Sequence, residues 1–189
     1  MVDLATMGTA CTSTEQILEG VTAAQYRLPT PCTDWDVRDL VNHLLGTLAL
    51  GAALLGDVPP TVNMAPGGLP DRELAADDPV KAYRVGADEL LAAAGGYALM
   101  RPHTTPLGDM PGGILGGFTT LDIAVHGWDL ARATGQPARL DDALAEAVLA
   151  FARQTISDDT RAPRIGPAIA VGAGAPVTDQ LVEIGRAHV

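Results

Sequence analysis

The stretch Leu121-Asp122-Ile123-Ala124-Val125-His126 places a carboxylate four residues before an imidazole. On a helix those two side chains stand on one face, one turn apart, a spacing that suits two ligands of one metal ion. A third donor is His43, within the apolar run Val41-Asn42-His43-Leu44-Leu45. A buried imidazole in such a run must find a partner. His43, Asp122 and His126 together make a two-His, one-carboxylate set that leaves positions open for water or substrate. A divalent ion there, Zn²⁺ or similar, lowers the pKa of a bound water or holds a thiol as thiolate.

From spacing alone other readings stay open. A D-x-x-x-H pair also occurs as an exposed salt bridge, and a histidine in an apolar run is often a satisfied core residue. Asp129, one turn after His126 on a neighbouring face, competes with Asp122. Cys32, after two prolines, reads as structural rather than nucleophilic, and Trp35 and Trp128 read as core or cleft packing. His103 lies in a long loop; it could face a metal cleft, but reads more simply as a solvated loop residue. His188 is terminal and expected to be disordered. No serine stands in a G-x-S-x-G elbow, and no phosphate-binding glycine loop is present.

The elements that must position these residues read as helices. A first helix spans about Asp3 to Val21, with caps at Thr12 or Ser13. A breaker, Pro29-Thr30-Pro31-Cys32, precedes Thr33-Asp34-Trp35-Asp36, which reads as a capping box with Thr33 as N-cap. Val37, Leu40, Val41, Leu44, Leu45 and Leu48 follow at helical spacing, and this second helix ends near Gly56. Residues 57–76 read as a long loop. Asp78-Pro79 opens a third helix that Gly95-Gly96 ends. Residues 97–113 form a second long loop with room for one short extended piece. A fourth helix from about Ile114 to Ala133 carries Asp122 and His126, with Gly135 as C-cap; Asp141 caps a fifth. The Pro/Gly-rich tail from Asp158 ends in a short helix near Thr178 to Ile184. The expected fold is mainly all-α: a four-helix bundle with long loops and a short C-terminal helix.

Composition agrees with that and narrows the partners. The 189 residues suit one domain with a full-sized core. Apolar residues make up 47% but aromatics only 4%, so the core must be Leu, Val, Ile and Ala, which favours packed helices over a β-sandwich. A net charge of -11 with scattered basic residues disfavours nucleic acid and anionic membranes. The apolar stretches are broken well short of a membrane span. Met1-Val2-Asp3-Leu4 does not open a signal peptide, and two cysteines make no disulfide framework, so a reducing cytoplasm is expected. Lys81 is the only lysine against eleven arginines, a bias typical of GC-rich bacterial genomes.

The stretch from Pro29 to Leu44, PTPCTDWDVRDLVNHL, resembles the N-terminal signature of the mycothiol-dependent maleylpyruvate isomerase N-terminal-domain family. Val125 to Gly135, VHGWDLARATG, resembles its second signature, and Gly185-Arg186 resembles the end of an actinobacterial subgroup. The likeness spans nearly the whole chain. It implies a DinB/YfiT-like metal-binding four-helix bundle over residues 1–189. In that fold a His of the second helix joins a carboxylate and a His at i and i+4 of a later helix. Those roles fall on His43, Asp122 and His126. The family's characterised isomerase has Glu as the carboxylate. Asp122 is one methylene shorter, which draws the metal toward its helix or puts a water between. By length, the isomerase's additional C-terminal domain is expected to be absent, and isomerase activity itself is not carried over.

The resemblance implies a divalent metal, Zn²⁺ first with Ni²⁺ or others open, and mycothiol as cosubstrate. The expected partners are a small-molecule thiol and an electrophile, with a homodimer left open. The function expected is a metal-dependent thiol S-transferase or thiol-assisted isomerase, with the loops at 57–76 and 97–113 shaping the pocket. The rival is a non-catalytic metal- or ligand-binding module.

Overall fold

The computed structural model describes residues 2–75, 78–106, 108–157, 171–172 and 174–185. Six α-helices are described: α1 (Leu4–Glu19), α2 (Val37–Leu55), α3 (Pro79–Ala94), α4 (Gly112–Thr134), α5 (Asp142–Thr155) and α6 (Val177–Gly185). Among the described residues the only sheet is an antiparallel pair, β1 (Pro102–Thr105) and β2 (Gly108–Pro111), in register Pro102 to Pro111. The mainly α-helical bundle expected from the sequence is the fold observed.

Helices α1 to α4 form the bundle: α2 packs on α3 and α4, and α1 packs on α4 and α3. The core is aliphatic, as so few aromatics require. Met7 and Leu18 of α1, Leu40, Leu44 and Leu48 of α2, Leu90 of α3, and Ile123 and Leu130 of α4 are fully buried. Burying each such side chain contributes about 1.5–3 kcal/mol. Helix α5 lays Phe151 edge-on against Phe118 of α4, and α6 packs on α5.

Several ends differ from expectation. The α1 cap is Asp3, whose carboxylate accepts from the Thr6 amide at 2.8 Å, and helix runs through Thr12 and Ser13. The α2 cap is Asp36, not Thr33. Asp36 accepts from the Asp39 amide at 3.0 Å, and the Asp39 carboxylate accepts from the Asp36 amide at 3.2 Å. Thr33 cannot begin the helix, because Asp34 sits at φ 64°, a left-handed turn conformation that Asp tolerates better than most residues. Residues 29–36 instead make a tight strap, bridged between Pro29 and Asp36. The Asp78 cap with Pro79, the Asp141 cap and the left-handed Gly135 cap at φ 73° match the sequence reading.

The loop at 97–113 holds a short 3-10 turn and the β1–β2 hairpin. His103 on β1 is not solvated: it is 2% exposed, with Nδ1 2.9 Å from Asp57 Oδ1 and Nε2 2.8 Å from the Ala98 carbonyl. Asp57 lies just past the far end of α2, whose last residue, Leu55, stands 12 residues and about 18 Å along the helix from His43. The hairpin therefore sits away from His43 and does not reach over it. The tail from Asp158 and the terminal His188 lie, for the most part and entirely, outside the described residues.

Candidate metal centre

Helix α4 must lie close to α1 and α2 to bring Asp122 and His126 to His43. Gly127 allows the first approach, since a Cβ there would collide with the Thr14 hydroxyl. Thr14 instead donates to the Ile123 carbonyl at 3.1 Å, locking α1 to α4 one turn before His126.

The three expected residues converge. One donor atom from each of His43, Asp122 and His126 lies within 4.8 Å of the others. His43 Nε2 stands 3.0 Å from Asp122 Oδ2, and His126 Nδ1 stands 3.3 Å from Asp122 Oδ1. Tetrahedral coordination with bonds of about 2.0–2.2 Å puts neighbouring donors about 3.3–3.6 Å apart, a range that the His126–Asp122 separation meets and the His43–Asp122 separation approaches, while His126 Nδ1 also lies 3.0 Å from the Asp122 backbone carbonyl. Both imidazoles are buried, while the Asp122 side chain is 25% exposed, so the carboxylate is the face the site turns toward solvent.

The supporting contacts orient this set. His43 Nδ1–H donates to the Gly68 carbonyl at 2.6 Å, which leaves Nε2 as the inward nitrogen. Gly68, at φ 85°, belongs to the turn that presents that carbonyl. Asn42 ties the same loop down by accepting from the Leu74 amide at 2.6 Å and donating to the Arg72 carbonyl at 3.2 Å. The Thr47 hydroxyl donates to Asp122 Oδ2 at 2.6 Å. The Trp35 ring lies 4.8 Å from the His43 ring and 6.0 Å from the His126 ring. Of the two loops expected around the site, 57–76 therefore contributes through its described part, and 97–113 does not.

The electrostatics of the protein groups follow from one acid between two bases. Burial would raise the Asp122 carboxyl, but the charge of His43 and His126 and their hydrogen bonds outweigh it and hold it well below the usual carboxylate range. Burial would lower His126, but the Asp122 carboxylate, by charge and hydrogen bond, holds it well above the usual imidazole range. Both shifts favour a carboxylate–imidazolium pair.

Sequence reasoning missed the supporting residues. Thr47 was findable, since it stands at i+4 from His43 on the same face. Gly68 carries no local signal. Asp129 does not replace Asp122 in this set; it is buried and pairs with Cys32, 3.5 Å from Sγ to Oδ2. Cys11 and Cys32 are both free thiols. Among the described residues, no helix is long and apolar enough to cross a membrane.

The family model of the mycothiol maleylpyruvate isomerase N-terminal domain matches residues 7–131, a span that holds His43, Asp122 and His126. Two uncharacterized proteins of Mycobacterium tuberculosis, from strains CDC 1551 / Oshkosh and H37Rv, are each 37% identical over 148 residues, covering 78% of this chain and 75% of theirs. No solved structure matches the chain. A helical bundle whose matched span runs from α1 through most of α4 thus belongs to the mycothiol maleylpyruvate isomerase N-terminal domain family.

Proposed function

We propose that this protein is a divalent-metal-dependent helical bundle in which a small thiol of the mycothiol class meets a small electrophile, as a thiol S-transferase or thiol-assisted isomerase. The observation that carries the reading is the convergence of His43, Asp122 and His126 within 4.8 Å, inside the span matched by a mycothiol-related family. Zn²⁺ suits two imidazoles and a carboxylate, and Ni²⁺ suits the same donors. A bound ion would act as a Lewis acid and draw a thiol toward its thiolate.

The chain's own residues do the rest. His43, tethered through Gly68, and Asp122, held by Thr47, keep their donor atoms aimed at one point. Trp35 covers the two imidazoles and limits water on that side. Three protein donors, where a structural zinc usually takes four, leave room for a small-molecule ligand. The net charge of -11 argues for small-molecule partners over nucleic acid.

Elemental analysis of wild type and His126→Ala, joined to thiol consumption from mycothiol across a panel of electrophiles, tests this. One ion per chain in wild type, lost in the variant, with ion-dependent thiol consumption, is the expected result. Equal metal content in both proteins would overturn the site. Metal retained with no thiol consumption would select the rival, a metal- or ligand-binding module without turnover.

A further inference from the structure

A second set of donors stands on the other side of His126. Cys32, His126 and Asp129 are all buried, and one donor atom from each lies within 4.8 Å of the others. Cys32 Sγ is 3.5 Å from Asp129 Oδ2, and His126 is hydrogen-bonded to the same sulfur. Asp129 follows His126 by three residues on α4, so both point to one side of the helix. Cys32 comes from the strap at 29–36, and the strap is rigid. Thr30 Oγ1 accepts from the Cys32 amide at 3.1 Å and donates to the Trp35 carbonyl at 2.9 Å, and the Trp35 amide donates to the Cys32 carbonyl at 3.2 Å. The sulfur is therefore fixed against α4 by its own turn. A surface cleft of about 430 Å³ is lined by this strap, Cys32 included, and Arg27.

We propose that Cys32, His126 and Asp129 form a second cation site, selective for soft, thiophilic divalent ions of the cadmium kind, which shares its imidazole with the His43–Asp122 set. The donor chemistry supports the selectivity. Thiolate favours soft ions, whereas two imidazoles and a carboxylate suit harder or borderline ones. The charges also close: a thiolate and a carboxylate neutralise one divalent ion, with the S–H proton and the His126 ring proton passing to solvent as the sulfur–metal and nitrogen–metal bonds form. A neutral imidazole gives one lone pair, so one ion at a time can use His126. Ion softness then decides which side of the imidazole is filled. This proposal does not rest on the first site, because loss of His43 leaves all three of its donors in place.

Titration with cadmium chloride in a thiol-free buffer, followed by the ultraviolet thiolate-to-cadmium charge-transfer band, is the test. The band should saturate near one equivalent per chain in wild type, in His43→Ala and in Cys11→Ala. It should vanish in Cys32→Ser and need at least roughly tenfold more cadmium in Asp129→Asn. Cadmium bound without the band, the band surviving in Cys32→Ser, or unchanged affinity in Asp129→Asn would overturn the proposal and leave the trio as a clamp between strap and helix. Should Cys32→Ser fail to fold, Cys11→Ala decides, since Cys32 is then the only thiol: a retained band supports the site and a lost band refutes it.

Discussion

His103 and His126 are both buried histidines that meet an aspartate, yet their surroundings differ. His103 is enclosed between Asp57 and the Ala98 carbonyl, and Asp57 is also paired with Arg101. Every charge there has a counter-charge, and the network pins the hairpin to the end of α2. Around His126 one carboxylate faces two imidazoles, with a thiol and a second carboxylate behind. That group brings five potential donors together, the His126 ring included. Burial alone does not separate the two histidines; the number of donors converging on one point does.

The sharpest way to break this comparison is to remove each histidine in turn. His126→Ala should drop bound metal from about one ion to below about a tenth per chain, since two donors cannot hold an exchangeable ion tightly. His103→Ala should keep the metal and lose stability instead, about 2–4 kcal/mol from a cavity and an orphaned carbonyl. Elemental analysis and urea denaturation of both variants give the two readouts. Equal metal loss in the two proteins would dissolve the distinction.

The supporting contacts sharpen it further. Thr47→Val keeps the shape beside Asp122 but removes the hydroxyl that donates to Oδ2 at 2.6 Å. Metal affinity should fall about 10–100-fold, the usual cost of losing an oriented outer partner. Competition with a chromophoric chelator measures it, and unchanged affinity would mean that Asp122 is oriented by its imidazoles alone.

How far the sequence carried these distinctions depends on the range of each contact. The helices were legible, because periodic apolar residues and caps such as Asp78-Pro79 and Asp141 act locally. The set His43, Asp122, His126 was legible as two local spacings joined by a family resemblance. The α2 cap was misread because Thr33-x-x-Asp36 and Asp36-x-x-Asp39 satisfy the same spacing, and only the left-handed Asp34 decides between them. The Cys32–Asp129 contact joins residues 97 apart, and no local spacing announces it. His103 was misplaced for the same reason: its partner Asp57 lies 46 residues away.

A smaller effect comes from burial where no counter-charge stands nearby. Cys11 of α1 is 2% exposed, and burial pushes its thiol up to about 12. Tyr83 of α3, fully buried, is raised well above its ordinary value, by burial first and then by the nearby Cys11. Both groups are acids whose folded pKa exceeds the unfolded one. Below an unfolded thiol value of 9.0, both states keep the Cys11 proton and nothing is lost. Above it the unfolded chain ionises while the folded chain does not, so stability falls as pH rises toward the folded value and levels beyond it. The expected loss from Cys11 is about 1.4 kcal/mol per pH unit within that window. Cys11→Ala should start somewhat less stable at pH 7, because a small cavity replaces the sulfur, and then decline less steeply between pH 9 and 11. Urea midpoints across that range measure it. Tyr83 should leave part of the slope in the variant, since its own proton is held in the same way. A slope unchanged by the substitution would mean that the thiol is not insulated as its burial implies. The alkaline weakness would then rest with Tyr83 and the surface charge, and the uncompensated pocket between α1 and α3 would matter less than the balanced network around His103.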